Sequence, residues 1–202
     1  MPEDLTSSLR SDQVLQTRAA LVTAGRQLFG QQGYAATSVD DIARRARVTT
    51  GALYHHFATK TALFEAVFEQ LHQEMLLASV RAAAGAASEL DGLARGFDAF
   101  LDAVLEPELQ RIVIIDAPAV LGLARFTELD ERHALAAIVA ALQAADAAGA
   151  IQADDAETLA RLFIGALTRG AMLIANSPQP RRTRNAVAVS MRRLLAGLAT
   201  TG

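Results

Sequence analysis

The chain has 202 residues, 51% of them hydrophobic but only 5% aromatic, with a net charge of −3 and no cysteine. That length allows one large domain or two smaller ones. The lack of cysteine excludes a disulfide framework and a thiol redox sensor. No basic-then-apolar leader and no run of 18 apolar residues occur, so a soluble, cytoplasmic protein without a membrane partner is expected. Abundant alanine, five prolines and no alternating strand pattern favour an all-α chain with a core of Ala, Leu, Val and Ile.

Charge is unevenly distributed. Residues 1–60 hold seven basic against five acidic side chains, and the remainder holds 12 against 17. A polyanion would therefore meet the N-terminal part and be repelled by the rest.

Residues 1–14 are polar, lack periodicity and read as a flexible arm whose only basic group is Arg10. The first helical pattern begins near Gln13 and runs to Gln32, with Leu21, Ala24, Gly25, Leu28 and Phe29 on one face and Gly33 as its stop. Residues 38–57 contain two short helical patterns across a tight turn. Val39, Ile42, Ala43 and Ala46 line the first, with Thr37 as N-cap and Asp40 and Asp41 in the first turn, where the helix dipole favours acid. Arg47, Val48 and Thr49 make the turn, and a second helix from Thr50 carries Leu53, Tyr54 and Phe57. This arrangement matches the DNA-binding helix-turn-helix, whose second helix enters the major groove.

The residues of this stretch resemble a known family. Thr17-Arg18, Leu28-Phe29, Gly33-Tyr34, Thr37-Ser38, Ile42-Ala43, Val48-Thr49, the run Gly51-Ala52-Leu53-Tyr54-His55-His56-Phe57 and Lys60 make Gln16 to Val67 similar to the DNA-binding domain of TetR-type transcriptional regulators. The resemblance implies a three-helix DNA-binding domain over residues 15–75 and a helical ligand-binding and dimerisation domain over 76–202. It implies double-stranded DNA with a palindromic operator, a small-molecule effector and a second copy of the chain as partners. The candidate DNA-binding residues are Thr37, Ser38, Arg47, Thr49, Thr50, Gly51, Tyr54, His55 and Lys60. Thr50 is expected at base edges, and Tyr54, His55 and Lys60 at phosphates. The family usually has glycine where Arg47 stands, so either the turn is strained or the first motif helix ends differently.

From Lys60 to about Ala83 a wide apolar stripe predicts one long helix. Ser88 with Asp91 caps a helix from Glu89 to Leu105, and the apolar stretch Arg111 to Leu123 divides into two short helical pieces at Pro118 and Gly122. A helix from Phe126 to Ala148 ends at Gly149, and its charged start (Glu128, Asp130, Glu131, Arg132, His133) suggests an exposed or pocket-rim end. Asp154 with Glu157 resembles a capping box for a helix to about Asn176, apolar on two faces, and Arg182 to Leu198 forms the last helix. Pocket-lining candidates are Phe68, Leu71, Met75, Phe97, Phe100, Leu101, Leu121, Phe126 and Phe163, with His72, Asp116 and Arg125 as polar members. Ile164, Leu167, Ala171, Leu194 and Leu198 are the expected dimer interface, a two-fold four-helix arrangement.

An enzyme is not expected. The sequence offers no nucleophile–base pair, no carboxylate pair at useful spacing, no phosphate loop and no complete metal-ligand set, so no catalytic residue, metal or cofactor is expected. His55 and His56 are adjacent and point to different helix faces, and His72 has only Glu69 nearby in sequence. The leading expectation is a dimeric repressor released by an apolar ligand; an activator or architectural protein without an inducer is the alternative.

Overall fold

A computed structural model describes residues 3–199, with side chains from Asp12 onward. Among them the chain is helical, apart from one isolated antiparallel bridge between Ile151 and Ala199. It divides into two compact units, Met1–Gln70 and Leu71–Gly202, and the boundary falls inside one helix. The sequence pattern suggested a division near residue 75.

The first unit contains α1 (Glu3–Ala36), α2 (Val39–Arg45), α3 (Thr50–His56) and the opening of α4 (Lys60–Ala83). The arm expected over residues 1–14 is therefore helical from Glu3, while Met1, Pro2 and the side chain of Arg10 lie outside the described residues. Apart from Pro2, that stretch contains no proline or glycine, so nothing local stops helix from propagating back through it. Gly33 breaks the helical path with φ 83 and ψ 166, and the last residues of α1 form a separate turn. Leu21, Phe29, Ile42, Leu53, Leu63 and Phe64 are fully buried between these helices. Each such side chain contributes about 1.5–3 kcal/mol by leaving water. The Phe64 ring meets Phe29 and Tyr34 edge-on, both at 5.2 Å between centroids. Gly25 lets α1 approach α4, since a Cβ there would lie 3.3 Å from Phe29 Cε2 and 3.5 Å from Leu63.

In the second unit, α5 (Glu89–Ala103), α8 (Leu123–Ala147), α9 (Ala156–Ala175) and α10 (Pro180–Ala196) pack together. Between α5 and α8 lie a single turn α6 (Pro107–Leu109), a π-helical segment (Gln110–Asp116) and α7 (Ala117–Leu121), which Gly122 closes at φ 78. The expected break at Pro118 and Gly122 is thus a wide turn running directly into a short helix. Ser88 caps α5 as expected, accepting from Asp91 N at 3.2 Å while Asp91 Oδ2 accepts from Ala87 N at 3.1 Å. That bond from Ala87 N, then the Arg95 guanidinium, holds the Asp91 carboxyl below its ordinary value. The cap of α9 is Asp155 rather than Asp154: Asp155 Oδ1 accepts from Thr158 N at 3.0 Å. Asp155 immediately precedes the first helical residue, so its carboxylate is the one within reach of the free N–H groups.

α9 carries the two apolar stripes seen in the sequence, and their roles differ from those expected. Ile164, Leu167 and Ala171 are buried within the unit, at 6%, 6% and 0% exposure, against α5, α8, α10 and the π segment. They face the inside of the unit, Ile164 and Leu167 in the wall of its cavity, and form no free face. Leu162 and Leu173 are outside, at 65% and 48%, as are Val189 and Leu194 of α10, at 49% and 55%. Leu198 is half-buried beyond the end of α10.

Candidate functional site

The helix-turn-helix is built by two caps and a turn. Ser38, not Thr37, caps α2, its hydroxyl oxygen accepting from Asp41 N at 3.1 Å. Thr37 is 2% exposed and donates its hydroxyl to Gly33 O at 2.7 Å, which removes it from any outward surface. The Ser38 hydroxyl, then Arg44, pulls the Asp41 carboxyl below its ordinary value. Between α2 and α3, Val48 N donates to Ala43 O at 3.0 Å and Arg47 N to Arg44 O at 3.2 Å. This pair of bonds is a Schellman motif, which places Arg47 in the left-handed region, at φ 58. Thr49 then caps α3 through Ala52 N at 3.1 Å.

Three side-chain contacts set the motif. Thr50 Oγ1 donates to Asp40 Oδ1 at 2.8 Å and joins the first turns of α2 and α3. Arg45 Nη1 donates to Gln27 Oε1 at 2.8 Å and ties α2 to α1. The Arg18 guanidinium lies over the Phe57 ring at 5.0 Å. Lys60 has a role that the sequence did not show. Its Nζ donates to Tyr34 O at 2.9 Å and Thr37 O at 3.0 Å and sits 4.0 Å from the Tyr34 ring centroid. Lys60 closes the kink after Gly33 and does not extend freely outward. Tyr34 completes the arrangement through a 2.9 Å bond between its hydroxyl and Thr61 Oγ1. Tyr34 O also accepts from Thr37 N at 3.3 Å, and Lys60 supplies a second donor to it and a donor to Thr37 O, where the end of α1 leaves carbonyls without ladder partners.

What α3 leaves outside is Gly51, Tyr54 and His55. A Cβ added at Gly51 would meet nothing nearer than Thr49 Oγ1 at 3.9 Å, so the fold does not require glycine there. Tyr54 is 51% exposed. Arg44 at the end of α2 and Arg47 in the turn are also exposed, and Arg44 pairs with Asp41. The His55 and His56 rings stand edge-on with centroids 5.6 Å apart, and no cluster of three or more metal-ligating side chains occurs among the described residues.

In the second unit a partly open cavity of about 480 Å³ lies between the C-terminal part of α4, the α4–α5 loop, α5, α8 and α9. Its walls are mostly apolar, with Met75, Leu93, Phe97, Phe100, Ile138 and Leu167 among them. One polar cluster borders it. Asp130 Oδ1 lies 3.0 Å from His72 Nε2, Asp130 Oδ2 accepts from Thr168 Oγ1 at 2.8 Å, and the His133 ring is 5.9 Å from that of His72. The His72 and Asp130 side chains are only 7% and 13% exposed. Helices α4, α8 and α9 each supply one member of the hydrogen-bonded set.

Of the pocket candidates read from sequence, His72, Met75, Phe97 and Phe100 line this cavity. Leu71, Leu101, Phe126 and Phe163 do not; they are core within the second unit, Phe163 with its ring 5.5 Å from Phe97. Phe68 is fully buried in the first unit. Arg125 pairs with Glu128 at 2.7 Å, Asp116 is half-buried at the junction of the π segment with α7, and Leu121 ends α7; none of the three lines the cavity. An aromatic or a charge in an apolar run marks burial, and burial alone does not distinguish core from cavity wall. The charged start of α8 reads in sequence as an exposed or pocket-rim end, and Asp130 and His133 of it line the cavity; the bond from Thr168 has no sequence signal, because 38 residues separate it from Asp130.

A helix-turn-helix unit joined to a second, all-helical unit with a mostly apolar cleft defines the class of helical DNA-binding regulators. Comparison with known proteins resolves the family. Residues 21–67 match the model of bacterial regulatory proteins of the tetR family, and residues 90–198 match the tetracyclin repressor-like C-terminal domain. A TetR-family transcriptional regulator from Pectobacterium atrosepticum superposes with a TM-score of 0.84 at 34% identity, over 94% of this chain and 97% of that one. The Transposon Tn10 TetC protein of Escherichia coli is 32% identical over 106 residues, which are 52% of this chain and 53% of TetC. The HTH-type transcriptional regulator TtgR of Pseudomonas putida is 39% identical over 62 residues, 31% of this chain and 30% of TtgR. The matches thus span about half or less of these curated relatives. The chain belongs to the TetR family of transcriptional regulators.

Proposed function

We propose that this chain is a dimeric cytoplasmic repressor that binds a palindromic operator through α3 and leaves it when a small molecule fills the cavity of the second unit. The outward face of α3 carries the DNA-binding part of this reading. Gly51 lies in the first turn of α3, has an ordinary helical φ and has no internal contact that requires a glycine. Close approach of a phosphate backbone gives that glycine a use. Exposed Tyr54, His55 and Arg47 surround it with groups that hydrogen-bond phosphate. Thr50, already bonded to Asp40, reads a base edge by exchanging or sharing that bond.

For the dimer, Leu194 is kept from the residues expected from sequence, and Leu162, Leu173 and Val189 take the place of the buried Ile164, Leu167 and Ala171. Leu162, Leu173, Val189 and Leu194 are large apolar side chains with 48–65% exposure on neighbouring helices. Pairing them about a two-fold axis hides them and presents two copies of α3 to two half-sites. Ligand release rests on the cavity, whose apolar walls and single polar cluster suit a small organic molecule. No catalytic role is proposed. A mobility-shift assay with the DNA flanking the chain's own gene tests the reading. Two protomers should bind per site, and competitor DNA of unrelated sequence should not displace them. Binding that does not distinguish sequence overturns it.

A further inference from the structure

The cavity's polar lining says what kind of head group its occupant carries. Two carboxylates, Asp130 and Glu89, border it, and neither lysine nor arginine does. Glu89 is exposed in the first turn of α5 and stays hydrated. Asp130 is the charge set into the wall, at 13% side-chain exposure. Each of its oxygens receives one bond, Oδ1 from the His72 ring and Oδ2 from the Thr168 hydroxyl. A carboxylate has about four acceptor positions, so each oxygen retains capacity for another donor.

We propose that the cavity takes a largely apolar molecule whose polar end is a hydrogen-bond donor without negative charge, an amine or a hydroxyl, seated on the carboxylate of Asp130. This rests on reading the cavity as the effector site. An anionic head would meet Asp130 in a setting where charges are weakly screened, and no fixed cation in the lining opposes that repulsion. The ionisable rings are His72, which is directed at Asp130, and His133 beside it. The apolar remainder of the ligand lies against Met75, Phe97, Phe100 and Ile138.

Titration calorimetry on the full chain with three probes sharing one body tests this: 4-phenylbutylamine, 4-phenylbutan-1-ol and 4-phenylbutanoate. The amine and the alcohol should each bind about tenfold or more tightly than the carboxylate, as a charged acceptor requires. Asp130→Asn keeps an oxygen for its partners and should reduce the preference of amine over carboxylate to less than about threefold; Glu89→Gln should leave the ranking unchanged. Equal or tighter binding of the carboxylate, no binding of any probe, or an unaltered ranking in a folded Asp130→Asn variant overturns the assignment. If that variant does not fold, the wild-type ranking decides alone. Operator binding is measured on the probe-free protein, so failure of the repressor reading shows separately.

Discussion

Arg47 and Gly149 occupy the same backbone position in the same kind of turn. Gly149 N donates to Asp146 O at 2.8 Å and Ala150 N to Ala145 O at 2.9 Å, with Gly149 at φ 70. The turn after α2 repeats this pattern with an arginine at φ 58, the one positive-φ residue other than glycine among those described. A side chain in that region costs about 1–2 kcal/mol, and glycine returns about 0.4–1 kcal/mol of that through the entropy of its unfolded chain. Arg47→Gly should therefore raise stability by about 0.5–1 kcal/mol, read as a higher denaturation midpoint with an unchanged slope. A lower midpoint would mean that the guanidinium makes contacts worth more than the strain. The departure at Arg47 was legible in sequence because turn chemistry is local. The role of Lys60 was not, because its partners, Tyr34 O and Thr37 O, lie 26 and 23 residues earlier, beyond any local spacing.

The order and extent of the helices followed from period and caps, and most boundaries lie within three residues of those expected. Ser88, Gly149 and Lys60 mark their elements directly. The inward face of α9 was harder to assign. Both stripes satisfy helical spacing, and the choice depends on α5, α8, α10 and the π segment, which sequence distance hides. Gly170 records the outcome: a Cβ there would lie 2.6 Å from Val187 Cγ1 on α10. Val187 is β-branched and stiff, so the helices must part to admit a methyl group. Gly170→Ala should destabilise the protein by about 1–3 kcal/mol despite alanine's better helix propensity. Val187→Ala in the same chain should recover part of the loss. A neutral Gly170→Ala on thermal melting would show that α9 and α10 have room for a methyl group at this crossing.

At the scale of the molecule, the net charge of −3 hides an N-terminal excess of basic groups, and that distribution was readable at once. The proposed dimer face was readable only as a surplus of apolar surface. Leu162→Glu, at a position 65% exposed, should leave the subunit folded yet dissociate the dimer, because a paired interface would have to bury the charge. Sedimentation should show a folded monomer; a dimer as tight as wild type would move the interface off α9. The central claim, that α3 presents its open face to DNA, rests on Gly51. Fluorescence anisotropy of wild type and Gly51→Ala on the flanking operator, with melting curves alongside, tests it most directly. The variant should melt at or above the wild-type temperature, since nothing lies within 3.9 Å of the new methyl group, and should bind the operator about tenfold or more weakly. Unchanged affinity in the stabilised variant would contradict the placement of α3 against DNA.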